Sequence, residues 1–234
     1  MTSTPASPRI SNLATRILSA IVLAPIALAA AWLGGIYFAV LLTVAAIAVF
    51  WEWVSLVAKA RNRAVWIAAG LCYAGVLLLA PKALRDDPHF GLPAIIFIFV
   101  VVWATDIFAY FIGRVLGGPK LAPMISPNKT WSGAIGGTMC AVAVGTLAMV
   151  VLVGSTRVGL VVMAAILSIV SQIGDLAESA LKRKFGAKDT SHLIPGHGGV
   201  MDRLDGFWAA ALIALAIGVA RGGFDTPAAG LLIW

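Results

Sequence analysis

Long apolar stretches that carry almost no charge constrain this sequence more than any other feature. Each is about as long as the roughly 20 helical residues that cross a bilayer core. Their apolar residues are continuous rather than alternating, which favours helices over a membrane β-barrel. With 61% of its 234 residues apolar and 12% charged, the chain cannot cover a water-soluble globule of this size. The sequence therefore predicts an all-α polytopic membrane protein with about seven transmembrane helices: Ala14–Leu33, Ile36–Ala58, Ala64–Ala80, Leu92–Gly113, Ser132–Val153, Val158–Glu178 and Asp205–Ala220.

The basic residues of the loops predict the orientation of these spans. Cytoplasmic loops of membrane proteins carry an excess of Lys and Arg. If the N-terminus lies inside, the outside segments hold only Lys82, Arg85, Arg157 and Arg221 of the 17 Lys and Arg. We therefore expect the N-terminus inside and, with seven spans, the residues after the last span outside.

Composition divides the chain into three parts. We expect residues 1–13 to form a cytoplasmic tail and residues 14–91 to form N-terminal membrane helices. Residues 92–234 contain the polar residues expected to carry catalysis, with cytoplasmic loops at 114–131 and 179–204. The chain has neither a Walker phosphate loop nor the residue spacing of a zinc site, which argues against a P-loop NTPase and a zinc enzyme.

Two spans carry acidic residues deeply and lead into a basic inside loop; such charges are costly inside a membrane and are therefore functional candidates. Asp106 in the fourth span shares a helical face with Tyr110, and a structural pair with Arg114 is its alternative role. In the sixth span, polar residues recur every three or four positions and form one stripe. We expect this stripe to line a polar cleft that faces the cytoplasm. Its members are Ser168, Ser171, Asp175, Glu178, Ser179 and Lys182.

Two loops on the inside combine charge with glycine and proline. In the loop after the sixth span, basic residues suit phosphate oxygens and carboxylates suit Mg²⁺, although a solvated loop that orients the protein is the alternative. The 114–131 loop adds Lys120 and Lys129, and it leads into a helix whose Gly133, Gly136 and Gly137 permit close helix packing. The candidates for these contacts in and beside the loop after the sixth span are Lys182, Arg183, Lys188 and Arg203 for phosphate and Asp189, Asp202 and Asp205 for Mg²⁺.

At these residues the sequence resembles the phosphatidate cytidylyltransferases, also called CDP-diacylglycerol synthases. Their signature S-x-[apolar]-K-R-x4-K-D-x-[small]-x2-[apolar]-[P/G]-x-H-G-G-[apolar]-x-D-R-[apolar]-D is matched at every fixed position from Ser179 to Asp205. Three upstream motifs are similar to the family: G-D-L-x-E-S from Gly174, W-x-x-D-x-x-A-Y from Trp103 and S-P-x-K-T-W from Ser126. The first ninety residues resemble the family only in hydropathy, and fewer spans are present than the eight or nine common in the family.

The resemblance implies conversion of CTP and phosphatidate to CDP-diacylglycerol and pyrophosphate in phospholipid biosynthesis, with Mg²⁺ and a second cation. It also implies a multi-pass homodimer of the bacterial inner membrane, with an active site facing the cytoplasm and no nucleic-acid partner. By the same resemblance, Asp175 and Asp202 would ligate the metal and, with Lys188 and Arg203, would be catalytic. Substrate-binding positions would be Ser126, Asn128, Lys129, Thr130, Ser179, Lys182, Arg183, Asp189, His197, Gly198, Gly199, Asp205 and Asp106.

Two other classes of membrane protein are alternatives. A cation- or proton-coupled transporter could use Asp106, Asp175 and Glu178 as a relay, but the charges cluster at one membrane face and internal repeats are absent. A CDP-alcohol phosphatidyltransferase would need the motif D-G-x2-A-R, whereas Asp205-Gly206 is followed by Phe-Trp-Ala-Ala. The residues therefore favour the cytidylyltransferase.

Overall fold

The computed structural model describes residues 9–154, 157–191, 193–194 and 198–234. This part of the chain contains seven long helices, one short helix and one β-hairpin. Since α1 begins at Arg9, residues 9–13 of the predicted tail are helical. The helices are α1 (Arg9–Leu33), α2 (Gly35–Leu56), α3 (Arg63–Arg85), α4 (Gly91–Leu116), α5 (Trp131–Val153), α6 (Val158–Lys184), α7 (Met201–Gly222) and α8 (Pro227–Leu232), and the strands are β1 (Lys120–Ala122) and β2 (Ser126–Thr130).

The predicted helical membrane architecture is confirmed. Among the described residues, six helices, α2 to α7, are long and apolar enough to cross a membrane, and α1 contributes the shorter apolar segment Ile21–Leu33. The two longest extensions past the C-terminal end of a predicted span are in α3, which continues past Ala80 to Arg85, and in α6, which continues past Glu178 to Lys184. The extensions are basic because cations are favourable in the last turn of a helix and their long side chains reach toward water.

Glycines set the closest helix contacts. A Cβ atom at Gly133 of α5 would lie 2.6 Å from the carbonyl oxygen of Ala109 on α4, and one at Gly137 would lie 2.8 Å from the Cβ of Ala109. The prediction that this glycine-rich helix packs closely is confirmed. Helices α6 and α7 meet in the same way, since a Cβ at Gly174 would lie 2.8 Å from the carbonyl oxygen of Asp205. This crossing brings the acidic ends of α6 and α7 together.

Ser168 and Ser171 of the α6 stripe are enclosed between helices instead of lining a wet cleft, and Ser168 links α6 to its neighbours. Ser168 and Ser171 are buried. The Ser168 hydroxyl accepts a bond of 2.7 Å from Thr105 on α4 and donates one of 3.1 Å to Thr138 on α5, which also accepts from Gln172 at 3.0 Å. The expectation of a wet cleft is wrong for this half of the stripe, because polar side chains of neighbouring helices satisfy one another.

A β-hairpin lies within the predicted 114–131 loop, whose residues 114–116 end α4 and whose Trp131 begins α5. Strands β1 and β2 are antiparallel, with Lys120 opposite Thr130 and Ala122 opposite Ser126. Such short, polar strands carry too few residues for alternation to reveal them. The Thr130 hydroxyl accepts a bond of 3.1 Å from the Gly133 N–H and so caps α5. The hairpin therefore fixes the chain just before α5.

At the opposite end of the bundle, Asp87 joins the α3–α4 turn to α8. Its Oδ1 accepts from the N–H groups of His89 at 3.0 Å and Phe90 at 2.9 Å, and its Oδ2 accepts from Ala229 at 3.0 Å. Burial raises the pKa of the Asp87 carboxyl, but bonds from the backbone N–H groups of Phe90, Ala229, His89 and Ala228 outweigh burial. The pKa of Asp87 therefore lies below its ordinary value.

Candidate functional site

A cleft of 1490 Å³ lies between α1, α2 and α4 and extends to the ends of α5, α6 and α7 that carry the basic loops. On α4, Ile107 and Tyr110 line it with 52% and 58% of their surface exposed, so the cleft is open along a membrane-spanning helix. Its far end is lined by charged side chains. The apolar wall includes Leu23 and Ala27 of α1, Phe38, Leu41 and Leu42 of α2, and Phe99 of α4.

The charged end of the cleft lies where α6 and α7 cross. Asp175 on α6 forms an ion pair with Lys129 of β2, and its other oxygen accepts from the Ser179 hydroxyl at 3.3 Å. Asp205 on α7 and Asp106 on α4 interact electrostatically with Asp175. Three helices thus contribute three carboxylates to one region, and their mutual repulsion favours the binding of positive charge between them.

Asp202, the second residue of α7, is held by the loop that precedes it. Its Oδ1 accepts from Lys182 on α6. Its Oδ2 accepts from the N–H groups of Thr190 at 3.0 Å and Gly199 at 2.9 Å, and from the Thr190 hydroxyl at 2.9 Å. The Lys182 ammonium also lies 3.0 Å from Glu178. Lys182 therefore bridges two carboxylates and ties the end of α6 to the beginning of α7.

Glu52, near the end of α2, connects the same loop to the other side of the bundle. The side chain is buried, with 0% exposure. Oε1 accepts from the Ser191 hydroxyl and from the Val200 N–H at 2.8 Å. Oε2 accepts from the Met201 N–H at 2.8 Å and from the Thr190 hydroxyl at 3.2 Å. All four donors belong to the segment that leads into α7.

Comparison with known proteins identifies the same family as the sequence motifs. Residues 59–219 match the cytidylyltransferase family. This chain belongs to that family. The phosphatidate cytidylyltransferase of Brucella suis biovar 1 (strain 1330) is 44% identical over 94% of this chain and 98% of its own length. That of Rickettsia bellii (strain RML369-C) is 38% identical over 83% of this chain and 86% of its own length. The family resemblance stated from the motifs is confirmed.

Most of the predicted site residues of this cytidylyltransferase meet in the cleft. The hairpin supplies residues from one side, and the crossing of α6 and α7 supplies the acidic residues and Lys182 from the other. Asp106 of α4 and the 189–205 segment add the remainder. The predicted residues that line the cleft are Asp106, Asn128, Lys129, Thr130, Asp175, Lys182, Asp189, Asp202, Arg203 and Asp205.

Other predicted residues lie beside the cleft. The Arg183 guanidinium donates to the carbonyl oxygens of Ile125 at 3.4 Å and Ala187 at 3.2 Å, so it braces the hairpin against the end of α6. Lys188 is exposed on the loop. His197 lies outside the described residues. The described candidates that do not line the cleft are Ser126, Ser179, Arg183, Lys188, Gly198 and Gly199.

The two aspartates assigned to Mg²⁺ by resemblance differ in their fit to a metal ion. Both oxygens of Asp202 already accept bonds from an ammonium, two N–H groups and a hydroxyl. Asp175 faces the cleft, with Asp205 and Asp106 nearby. In the part of the chain that the structure describes, no three acidic, His or Cys side chains are arranged to hold an ion. Asp175 fits a hard cation better than Asp202 does, because its partners in the described residues are one ammonium and one hydroxyl, which leave its oxygens more accessible from the cleft.

Sequence reasoning missed Glu52. A signal was present, since Glu52 stands between Trp51 and Trp53 in a span with no other charged residue. An ionisable residue inside a span is a functional candidate by default. Its distant partners, from Thr190 to Met201, could not be deduced from spacing along the chain.

Proposed function

We propose that this cytidylyltransferase transfers the cytidylyl group of CTP to phosphatidate and forms CDP-diacylglycerol and pyrophosphate. The observation that carries the proposal is the cleft, which joins an apolar wall along membrane-spanning helices to a charged end. A lipid with two acyl chains and a phosphate headgroup matches both parts. The relatives from Brucella suis and Rickettsia bellii carry the name of this activity.

The acyl chains of phosphatidate would lie along the wall formed by α1, α2 and α4. Because bilayer lipid is as apolar as this wall, transfer of the chains into the cleft changes the hydrophobic free energy little. The wall therefore orients the lipid, and the affinity comes from the charges that meet the phosphate headgroup.

The phosphates would bind at the charged end, where Lys129, Lys182 and Arg203 line the cleft. Lys129 and Lys182 are paired with Asp175 and Asp202, so incoming phosphates would compete with these carboxylates for the two ammonium groups. The planar guanidinium of Arg203 suits two oxygens of one phosphate. Exposed Lys188 would reach the nucleotide from the rim.

The reaction is a displacement at the α-phosphorus of CTP. A phosphate oxygen of phosphatidate forms the new P–O bond, and the bond from that phosphorus to the bridging oxygen of pyrophosphate breaks. A phosphate monoester is already ionised at neutral pH, because its second pKa is about 6. The protein therefore needs no strong general base. Its residues accelerate the step by aligning the two substrates and by neutralising charge on the departing pyrophosphate.

Mg²⁺ would be held by Asp175, and the nearby negative charge of Asp106 and Asp205 would favour it and a second cation. When bound, the metal supplies positive charge to the phosphates of CTP. Asp202 would join these ligands only if Lys182 and the loop donors released it. Activity measured after chelation and after Mg²⁺ is restored tests this assignment.

We also propose, on the family resemblance, that the protein acts as a homodimer in the inner membrane with the cleft facing the cytoplasm. The orientation is supported by the basic residues, which concentrate at the cleft end of the bundle. Cross-linking in native membranes, compared with the mass of the protein in nanodiscs, tests the dimer.

The decisive experiment for the activity uses purified protein in nanodiscs with labelled CTP. Pyrophosphate should be released only when phosphatidate is also present, and the label should appear in a lipid product. Diacylglycerol, which has the acyl chains but lacks the phosphate nucleophile, is the matched control. Release of pyrophosphate without phosphatidate, or no release with both substrates, would overturn the proposal.

A further inference from the structure

We infer that Glu52 is a positioning residue for the active site and that it sets where α7 begins. The inference rests on the proposed function in so far as α7 carries Asp202, Arg203 and Asp205. Glu52 does not line the cleft within the described residues, so it would act through the segment that it holds.

The first step is that Glu52 caps α7 from another helix. The first N–H groups of a helix lack partners within that helix. Val200, at the N-cap position of α7, offers no capping side chain, and the N–H groups of Val200 and Met201 instead donate to Glu52, each at 2.8 Å. A negative charge at this position also complements the positive end of the helix dipole.

The second step is that the same carboxylate fixes the preceding loop. The Thr190 hydroxyl lies 3.2 Å from Glu52 and 2.9 Å from Asp202, so both acids meet at one side chain. The backbone of Gly199 lies beside the Thr190 hydroxyl and the Glu52 carboxylate. A Cβ there would lie 1.9 Å from the Thr190 hydroxyl oxygen and 2.8 Å from each Glu52 oxygen. The glycine is therefore required by the packing of the loop around Glu52.

The third step is that the site requires a carboxylate and rejects an amide. Each oxygen of Glu52 accepts one backbone N–H, from Val200 at Oε1 and from Met201 at Oε2. A glutamine side chain has one oxygen and one NH₂ group, so in either orientation its NH₂ group would face one of these backbone N–H groups. Two donors would then face each other, and that backbone N–H would have no acceptor. A buried donor without an acceptor is unfavourable, so we expect the beginning of α7 to shift.

The test compares Glu52→Gln with Ser55→Ala, a control one turn along the same helix. Within the described residues, the Ser55 hydroxyl bonds only to the carbonyl oxygen of Trp51, and it is exposed. Hydrogen exchange of residues 190–203 should speed up in Glu52→Gln and stay native in Ser55→Ala, with α4 and α5 unchanged in both. We expect kcat/KM for CTP to fall about tenfold or more in Glu52→Gln and to stay within about twofold in the control.

Two further variants keep the inference open to refutation. Glu52→Asp retains both oxygens on a shorter stem and should recover part of the activity lost in Glu52→Gln, which a purely steric role would not predict. If Glu52→Gln does not fold, Ser191→Ala, which removes one donor to Oε1, should raise exchange in the same segment by a smaller factor. Native exchange in Glu52→Gln, or activity of Glu52→Asp below that of Glu52→Gln, would overturn the inference.

The exchange measurement separates this inference from the proposed function. If the wild-type protein fails to release pyrophosphate with CTP and phosphatidate, the proposed function fails. Faster exchange at 190–203 in Glu52→Gln would still show that Glu52 holds the segment. Unchanged exchange in an active enzyme would refute the positioning role alone.

Discussion

Asp175 and Asp202 are assigned the same role by the family resemblance, yet their surroundings give them different chemistry. Asp175 has one ammonium partner and a long bond from a hydroxyl, and it lines the open cleft. Asp202 accepts from four donors and is largely enclosed by them. A carboxylate with few protein donors is the one that can exchange its partner for a cation.

Asp175→Asn should therefore reduce turnover by about a hundredfold or more at every practical Mg²⁺ concentration. The fold should survive, because the side chain faces the cleft and its loss creates no cavity. Pyrophosphate release across a Mg²⁺ titration, with Tm recorded in parallel, gives the measurement. Asp225→Asn, an exposed position at the opposite end of the bundle, is the matched control.

The same titration distinguishes Asp202. Asp202→Asn should lower Tm and turnover together, because it weakens the bridge to Lys182 and loses an acceptor for the loop. If Asp175→Asn keeps near-native turnover and Mg²⁺ dependence, Asp175 is not a ligand, and the metal must be assigned to Asp205 or Asp106.

A second prediction compares two basic residues, Arg203 in the cleft and Lys184 outside it. Arg203→Ala should raise the KM for CTP about tenfold, because a forked donor that lines the cleft is lost. Lys184 lies 4.5 Å over the ring of Trp66, away from the cleft lining, and Lys184→Ala should stay within about twofold. Steady-state kinetics at saturating phosphatidate measure both. Equal effects of the two substitutions would show that CTP binding depends on overall positive charge and not on Arg203 in particular.

At the scale of helices and strands, the sequence predicts those features that depend only on residues close together along the chain. Apolar length is such a property, and each predicted span coincides with one helix. The signature from Ser179 to Asp205 is another, and it located the loop that borders the cleft. The roles of Ser168 and Glu52 depend instead on partners in other helices, and hydrophobic periodicity carries no information about which helix lies opposite.

The bond from Asp87 to α8 predicts how stability changes with pH. Because the pKa of Asp87 is lowered in the folded protein, its carboxylate stabilises the fold above the ordinary value of about 3.9. That contribution is lost as the pH falls through the lowered pKa. Asp87→Asn should cost about 1–2 kcal/mol at neutral pH, because one of two accepting oxygens is replaced. The Tm difference from wild type should shrink below a pH of about 4.

Thermal melts in detergent at neutral and acidic pH measure this effect. The neighbouring Asp86 is the control, since its exposed ion pair with Lys82 should contribute little to stability. A Tm gap for Asp87→Asn that is constant across pH would contradict the assignment.

For the molecule as a whole, successive helices run in opposite directions, so the charged end of the cleft and the Asp87 turn lie at opposite ends of the bundle. Single cysteines at Asp86 and at Arg61, in a background without Cys72 and Cys140, should report this arrangement. In intact cells a membrane-impermeant thiol reagent should label position 86 and leave position 61 unlabelled until the membrane is opened. Labelling of position 61 in intact cells would reverse the orientation, and equal labelling of both would refute the odd number of spans between them.

The continuity of the cleft from apolar wall to charged end means that its two substrates reach it from different phases. CTP arrives from solution, so the concentration that sets its binding is its concentration in the aqueous phase. Phosphatidate arrives by diffusion within the bilayer, so its relevant concentration is its fraction of the surrounding lipid. Diluting phosphatidate with inert lipid at constant bulk concentration should therefore slow the enzyme, whereas adding more vesicles of the same composition should not change the turnover of each embedded molecule.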